Sequence, residues 1–150
     1  MGANGLRVDF LTPNRGSDDL VGKPAKMPSL GGAAAEPLRF LDFLIYEPVR
    51  TVMLHKGGIP VLVPDPCRFA VHKMIVAARR SAGSQKDLKD LGQANQLAEA
   101  LKVVGRAEDL REMFQAARDR GPSWREALDA SLARMEALGL SSAPVVLRAA

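Results

Sequence analysis

With a single cysteine, Cys67, the chain can form no internal disulfide and cannot build a cysteine-based zinc cluster. Aromatic residues make up only 5% of it, with one Trp and one Tyr, too few for the stacking platforms of RNA-binding modules. There is no apolar run long enough to span a bilayer and no secretory signal pattern, so no membrane partner and a cytoplasmic location are expected. An excess of one charge sign is also missing. The net charge is +4, with nine basic and seven acidic side chains in residues 1–75 and twelve and ten in residues 76–150. Mild attraction to phosphates is permitted by that balance, and a nucleic-acid-binding helical module is disfavoured by its evenness. His55 and His72 are far apart and lack metal-ligand spacing. No Ser, His and acid set suggests a hydrolase, and Gly16-Ser17 is not embedded in a Gly-rich phosphate loop.

What is present fits a globular protein. At 150 residues, 47% hydrophobic and 25% charged, the chain can bury a real core. Short apolar runs bounded by Gly and Pro mark residues 1–64 as strands and loops, residues 65–140 read as a helical region, and 141–150 as a flexible tail. "LRVDFL" is expected as a strand carrying Asp9, and "TPNRGSDDLVGKPAKMPSLGGAAAEP" as a long connection. "LRFLDFLIY" fits a strand or a short helix. "VRTVMLH", "KGG" and "IPVLVP" predict a half-buried antiparallel hairpin. Asp65 as N-cap and Pro66 as first helical residue open a helix that runs to about Gly83. Ser84 and Asp87 resemble a capping box at the head of the next. Helices over roughly Glu108–Arg120 and from Pro122 to about Leu138 complete an expected set of four, the last burying Trp124, Leu128, Leu132 and Met135.

Charge falls in unusual places on the first two of these helices. At roughly 100° per residue, Arg68, His72 and Arg79 share a side that reads as solvent-facing, whereas Lys73 and Arg80 lie on a strip with Phe69, Val76 and Ala77. A lysine in apolar surroundings either snorkels or has an anionic partner. The next helix presents Leu91, Ala94, Ala98 and Leu101 as its apolar face, with Asp87 at the centre of that face and Asp90 on its edge. Acids in a first turn complement the helix dipole, which accounts for their position along the helix but not for their face. An acid on a buried face is costly unless paired or given work, so Asp87 is expected to act in a site or to pair with Lys73. Gln85, Lys89, Gln93 and Gln96 make the wet side, and Cys67 reads as incidental.

Taken in order, "RVDFLTP", "PLRFLDFLI", "VPDPCRFAVHKMIVAARR" and "KDLKDL" resemble a bacterial family of nucleotidyltransferase-fold proteins in the DNA polymerase β superfamily. The Lys73–Leu91 stretch is also similar to the nucleotidyltransferase-like toxins of type IV toxin-antitoxin systems, although Lys86 stands where those tend to have Arg. The resemblance covers roughly Leu6–Leu101. It implies an α+β protein with part of a mixed nucleotidyltransferase sheet, followed by the helical region. It further implies transfer of a nucleoside monophosphate from an NTP to an unknown acceptor, with Mg²⁺ as cofactor. Carried over by position, Asp9 resembles the acid that orients or deprotonates the acceptor, and Lys73 the lysine on the NTP phosphates. Asp87 resembles the acid that pairs with that lysine or positions the acceptor, and Arg80 and Asp90 are supporting, substrate-binding residues. The superfamily's Gly-Ser and Asp-x-Asp elements precede the "RVDFLTP" strand, and the chain contains no Asp-x-Asp. A weakly active C-terminal part of a larger enzyme is therefore expected, with an open sheet edge and self-association. A non-catalytic binding protein with Lys73–Asp87 as a structural ion pair is the alternative.

Overall fold

In the computed structural model, residues 9–14 and 23–149 are described. The chain forms two compact units, Met1–Phe43 and Leu44–Ala150. In the first, β1 (Phe10–Asn14), β2 (Ala25–Met27) and β3 (Ala33–Arg39) make a mixed sheet of order β1-β3-β2. Asp9 lies immediately before β1 rather than inside the strand, and is exposed. β1 runs parallel to β3, Phe10 opposite Ala35, and β2 runs antiparallel to it, Ala25 opposite the same residue. Among its described residues the expected long connection therefore holds the end of β1, all of β2 and most of β3. Its sequence "AAAEPLR" has no β-branched residue, and pairing along both edges makes it a strand where propensity would not. Residues 38–46 are divided between the end of β3 and a short helix, α1 (Leu41–Leu44).

In the second unit, β4 (Val49–Met53) and β5 (Ile59–Val63) form the antiparallel hairpin expected, Val49 opposite Val63. Gly58 is required at its turn: φ is +87°, and a Cβ there would stand 2.9 Å from Val52 Cγ1. Burial departs from expectation. β4 and β5 make a two-stranded sheet of their own, and Val52, Leu62 and Val63 are exposed instead of half-buried.

Helices build the rest: α2 (Pro66–Ala78), α3 (Gln85–Val103), α4 (Ala107–Arg118), α5 (Pro122–Ala137) and α6 (Ser142–Arg148). Asp65 caps α2 by accepting from the Cys67 and Arg68 amides at 2.8 and 3.3 Å. α2 stops five residues short of Gly83, and a turn over 79–84 leads to Ser84, whose hydroxyl accepts from the Asp87 amide at 3.3 Å. The core gathers Val71, Met74 and Ile75 of α2, Leu91, Ala94 and Ala98 of α3, Leu110 of α4, and Leu128 and Met135 of α5. The segment expected to be a flexible tail is instead α6. It buries Ala143 and Val146, and its Ala143 amide donates to Asn95 Oδ1 at 3.0 Å. No helix among the described residues is long and apolar enough to cross a membrane.

Candidate functional site

α2 and α3 run past one another in opposite directions, joined by the 79–84 turn, so residues far apart in sequence line one groove. Lys73 and Arg80 project from α2 and the turn after it, and Lys86, Lys89, Asp90 and Gln93 from α3. Together these six residues line a cleft of about 270 Å³. Asp90, only 3% exposed, is its anchor. Lys73 Nζ donates to one carboxylate oxygen at 2.8 Å and Arg80 Nε to the other at 2.7 Å. Burial pushes the Asp90 carboxyl up, but the hydrogen bonds and charges of Lys73 and Arg80 outweigh it and hold the group below the usual carboxylate value. The remaining two lysines are exposed. Four cations and one carboxylate, itself paired with two of them, thus line the cleft and leave it with an excess of positive charge.

Asp87 does not pair with Lys73. It is fully buried, and its Oδ2 accepts from the Arg134 guanidinium of α5 and from the Gly83 amide at 2.8 Å, while Oδ1 has no partner. Arg134 also donates to the Ala77 carbonyl at 3.3 Å, tying the end of α2 to the head of α3. Ser84 is the N-cap, as expected, and the reciprocal bond of the capping box runs from the Gly83 amide, one residue earlier, to Asp87. Asp87 and Asp90 are almost one turn apart on the same side of α3, and the register of α2 and α5 against that helix decides which acid meets which cation. Of the expected site residues, Lys73, Arg80 and Asp90 are brought together. Asp87 is turned toward α5, and Asp9 belongs to the first unit.

Two expectations about α2 are reversed. Arg68 is 8% exposed, lies 4.7 Å over the Tyr46 ring and pairs with Glu47 at 3.7 Å. His72 is 5% exposed, and its Nε2 is without a hydrogen-bond partner. Burial, reinforced by the Lys73 charge and opposed by Asp90, pushes the imidazole down to about 4 from 6.5. Unfolded chains therefore bind a proton at this residue across a pH range in which folded ones do not. The His72 contribution is complete above about 6.5 and declines as pH falls toward 4, by roughly 3 kcal/mol in all. We expect the urea midpoint to fall between pH 7 and pH 5, and to fall less in His72→Gln; parallel slopes would refute this. Cys67 is buried, and burial together with the Asp65 charge raises its thiol to about 12, which suits an unreactive core residue.

Reading by helical face missed Arg134 entirely and left Lys89 and Gln93 on the wet side. The spacing Lys86, Lys89, Gln93, at i, i+3 and i+7, places all three on the flank shared with Asp90, and that periodicity was the available signal. For Arg134 there was none, because its partner is 47 residues away. The expected Mg²⁺ finds no fit in the cleft, where both Asp90 oxygens are engaged by cations. Among the described residues no group of three or more His, Cys, Asp or Glu could hold a metal ion. The donor set suits phosphate oxygens.

A family model described as nucleotidyltransferase matches residues 1–119 of the chain. No curated protein and no solved structure matches the chain.

Proposed function

The chain belongs to the nucleotidyltransferase family, and from that premise we propose that the α2–α3 cleft receives the triphosphate of an NTP whose nucleoside monophosphate is passed to an acceptor. The observation that carries this reading is the convergence of Lys73, Arg80, Lys86 and Lys89 around a single buried carboxylate. Asp90 holds Lys73 and Arg80 at fixed positions before substrate arrives, so less side-chain freedom is lost on binding. In the transfer, an acceptor oxygen attacks the α-phosphorus and forms a new O–P bond. The bond from that phosphorus to the α–β bridging oxygen breaks, and pyrophosphate leaves with the electron pair. Cations on the β- and γ-phosphates stabilise the charge that grows on the leaving group. The acceptor's proton goes to a base, a role for which the family resemblance alone nominates Asp9. Asp87, clamped by Arg134, is reassigned from acceptor positioning to holding the head of α3.

Calorimetric titration with inorganic triphosphate and with each NTP tests the phosphate site. A charge-assisted hydrogen bond contributes about 1.5–3 kcal/mol, so Lys73→Ala should weaken binding by roughly 10- to 100-fold. Lys86→Ala and Lys89→Ala, at exposed positions, should weaken it several-fold without changing stability, and added salt should weaken it further. A folded protein whose triphosphate affinity ignores all three substitutions would leave Lys73–Asp90–Arg80 as a structural cluster in a non-catalytic protein.

A further inference from the structure

Next to the cationic cleft, and sharing Gln93 with it, is a second hollow of about 280 Å³ lined by Phe69, Gln93, Gln96 and Leu97. We infer that this hollow is a nucleobase subsite, in which a base packs against Phe69 and is read by the Gln93 side-chain carbonyl. The inference rests on the phosphate reading of the neighbouring cleft.

Three observations support it. Continuity comes first: Phe69 is one helical turn before Lys73 on α2, and Lys73 Nζ stands 5.2 Å from the centroid of the Phe69 ring. The groove therefore passes from an aromatic and amide-lined end to a cationic end. From Phe69 to the end of α2 at Ala78 it follows about 14 Å of helix axis, at about 1.5 Å per residue. A nucleotide has that same order, a flat ring at one end and phosphates at the other. The second is chemical. The Gln93 side chain lines the hollow, but its Oε1 is turned out of reach of solvent and has no hydrogen-bond partner, a condition that costs free energy and is relieved when the amide turns to meet a donor. An exocyclic amino group of adenine or cytosine is such a donor, and the Gln96 amide, exposed on the next turn of α3, offers a further polar contact at the rim. The third is that Phe69 and Gln93 are only half-buried, whereas Val71, Met74, Leu91, Ala94 and Ala98 of the same two helices are buried in the core.

The test uses the full chain and three probes: inorganic triphosphate, ATP and CTP, and the analogue of the tighter nucleotide that lacks the exocyclic amino group. Base–aromatic stacking contributes about 1–3 kcal/mol, so the tighter nucleotide should bind roughly tenfold or more better than triphosphate. Phe69→Leu should remove much of that advantage while leaving triphosphate affinity unchanged, and Gln93→Leu, which touches both hollows, should lower the ratio of nucleotide to triphosphate affinity. Loss of the amino group should weaken binding to the wild type, and not to Gln93→Leu. Because triphosphate binding reports folding of the same groove, a variant that fails to fold is recognised at once, and Gln96→Ala serves as the milder rim variant. Triphosphate binding with no nucleotide advantage, or with an advantage untouched by Phe69→Leu and Gln93→Leu, would overturn the subsite and leave the phosphate site standing. Failure of triphosphate itself to bind would overturn both.

Discussion

Arg134→Ala should lower the unfolding free energy by about 3–5 kcal/mol, the cost typical of removing one partner from a buried ion pair. Its partner Asp87 has no exposed surface, and without the guanidinium that carboxylate retains only the Gly83 amide while one oxygen stays unpartnered. Domains are stable by only about 5–15 kcal/mol, so this single change consumes a large part of the total. At roughly 2–4 °C per kcal/mol for a chain of this size, Tm should fall by about 10 °C. Arg134→Lys keeps the charge but loses the fork that also reaches the Ala77 carbonyl, and should fall between the two. The sign of a double variant is diagnostic: adding Asp87→Asn to Arg134→Ala should recover stability, because the buried charge is gone. If Arg134→Ala costs less than about 1 kcal/mol, within the range of ordinary surface changes, the clamp does not hold the head of α3. Arg134 lies beyond residues 1–119, so the clamp would make α5 part of the site's support even though the family match ends before it.

Asp90→Ala should have the second largest effect on stability, about 2–3 kcal/mol. It leaves two cations without their acceptor, but the Lys73 and Arg80 side chains are 21% and 36% exposed and can turn to water, which makes the loss smaller than at Asp87. Double-mutant cycles would divide the effect. Coupling of Asp90 to Lys73 should be about 1.5–3 kcal/mol and coupling to the more exposed Arg80 under 1. Coupling between Asp87 and Lys73 should be near zero; a large value there would mean that the partners are exchanged. The acid limb gives a separate check. Because the folded Asp90 carboxyl sits below its ordinary value, its contribution is present above that value and is lost as pH falls through the folded one. The loss therefore lies below the His72 window, and Asp90→Asn should remove it while keeping the decline between pH 6.5 and 4.

The sequence by itself determined what depends on neighbours along the chain. Asp65 followed by Pro66 starts α2, Ser84 starts α3, Gly57-Gly58 turns the hairpin, and the 3.6-residue spacing of Leu91, Ala94 and Ala98 marks a buried face. It also put Lys73 and Arg80 on one strip and two acids on the buried side of α3, which is most of the proposed phosphate cleft. Only the tertiary structure decided what depends on distant segments. Pairing along both edges turned an alanine-rich stretch with a proline into β3, and packing against α3 and α4 turned the last residues into α6. His72 was buried because the helices close over a side that charge alone marks as wet. Whether Asp87 or Asp90 received Lys73 was decided by helix register. A three-residue step along α3 is about 4.5 Å, more than a hydrogen bond can span, and periodicity within one helix carries no record of where its neighbours stop.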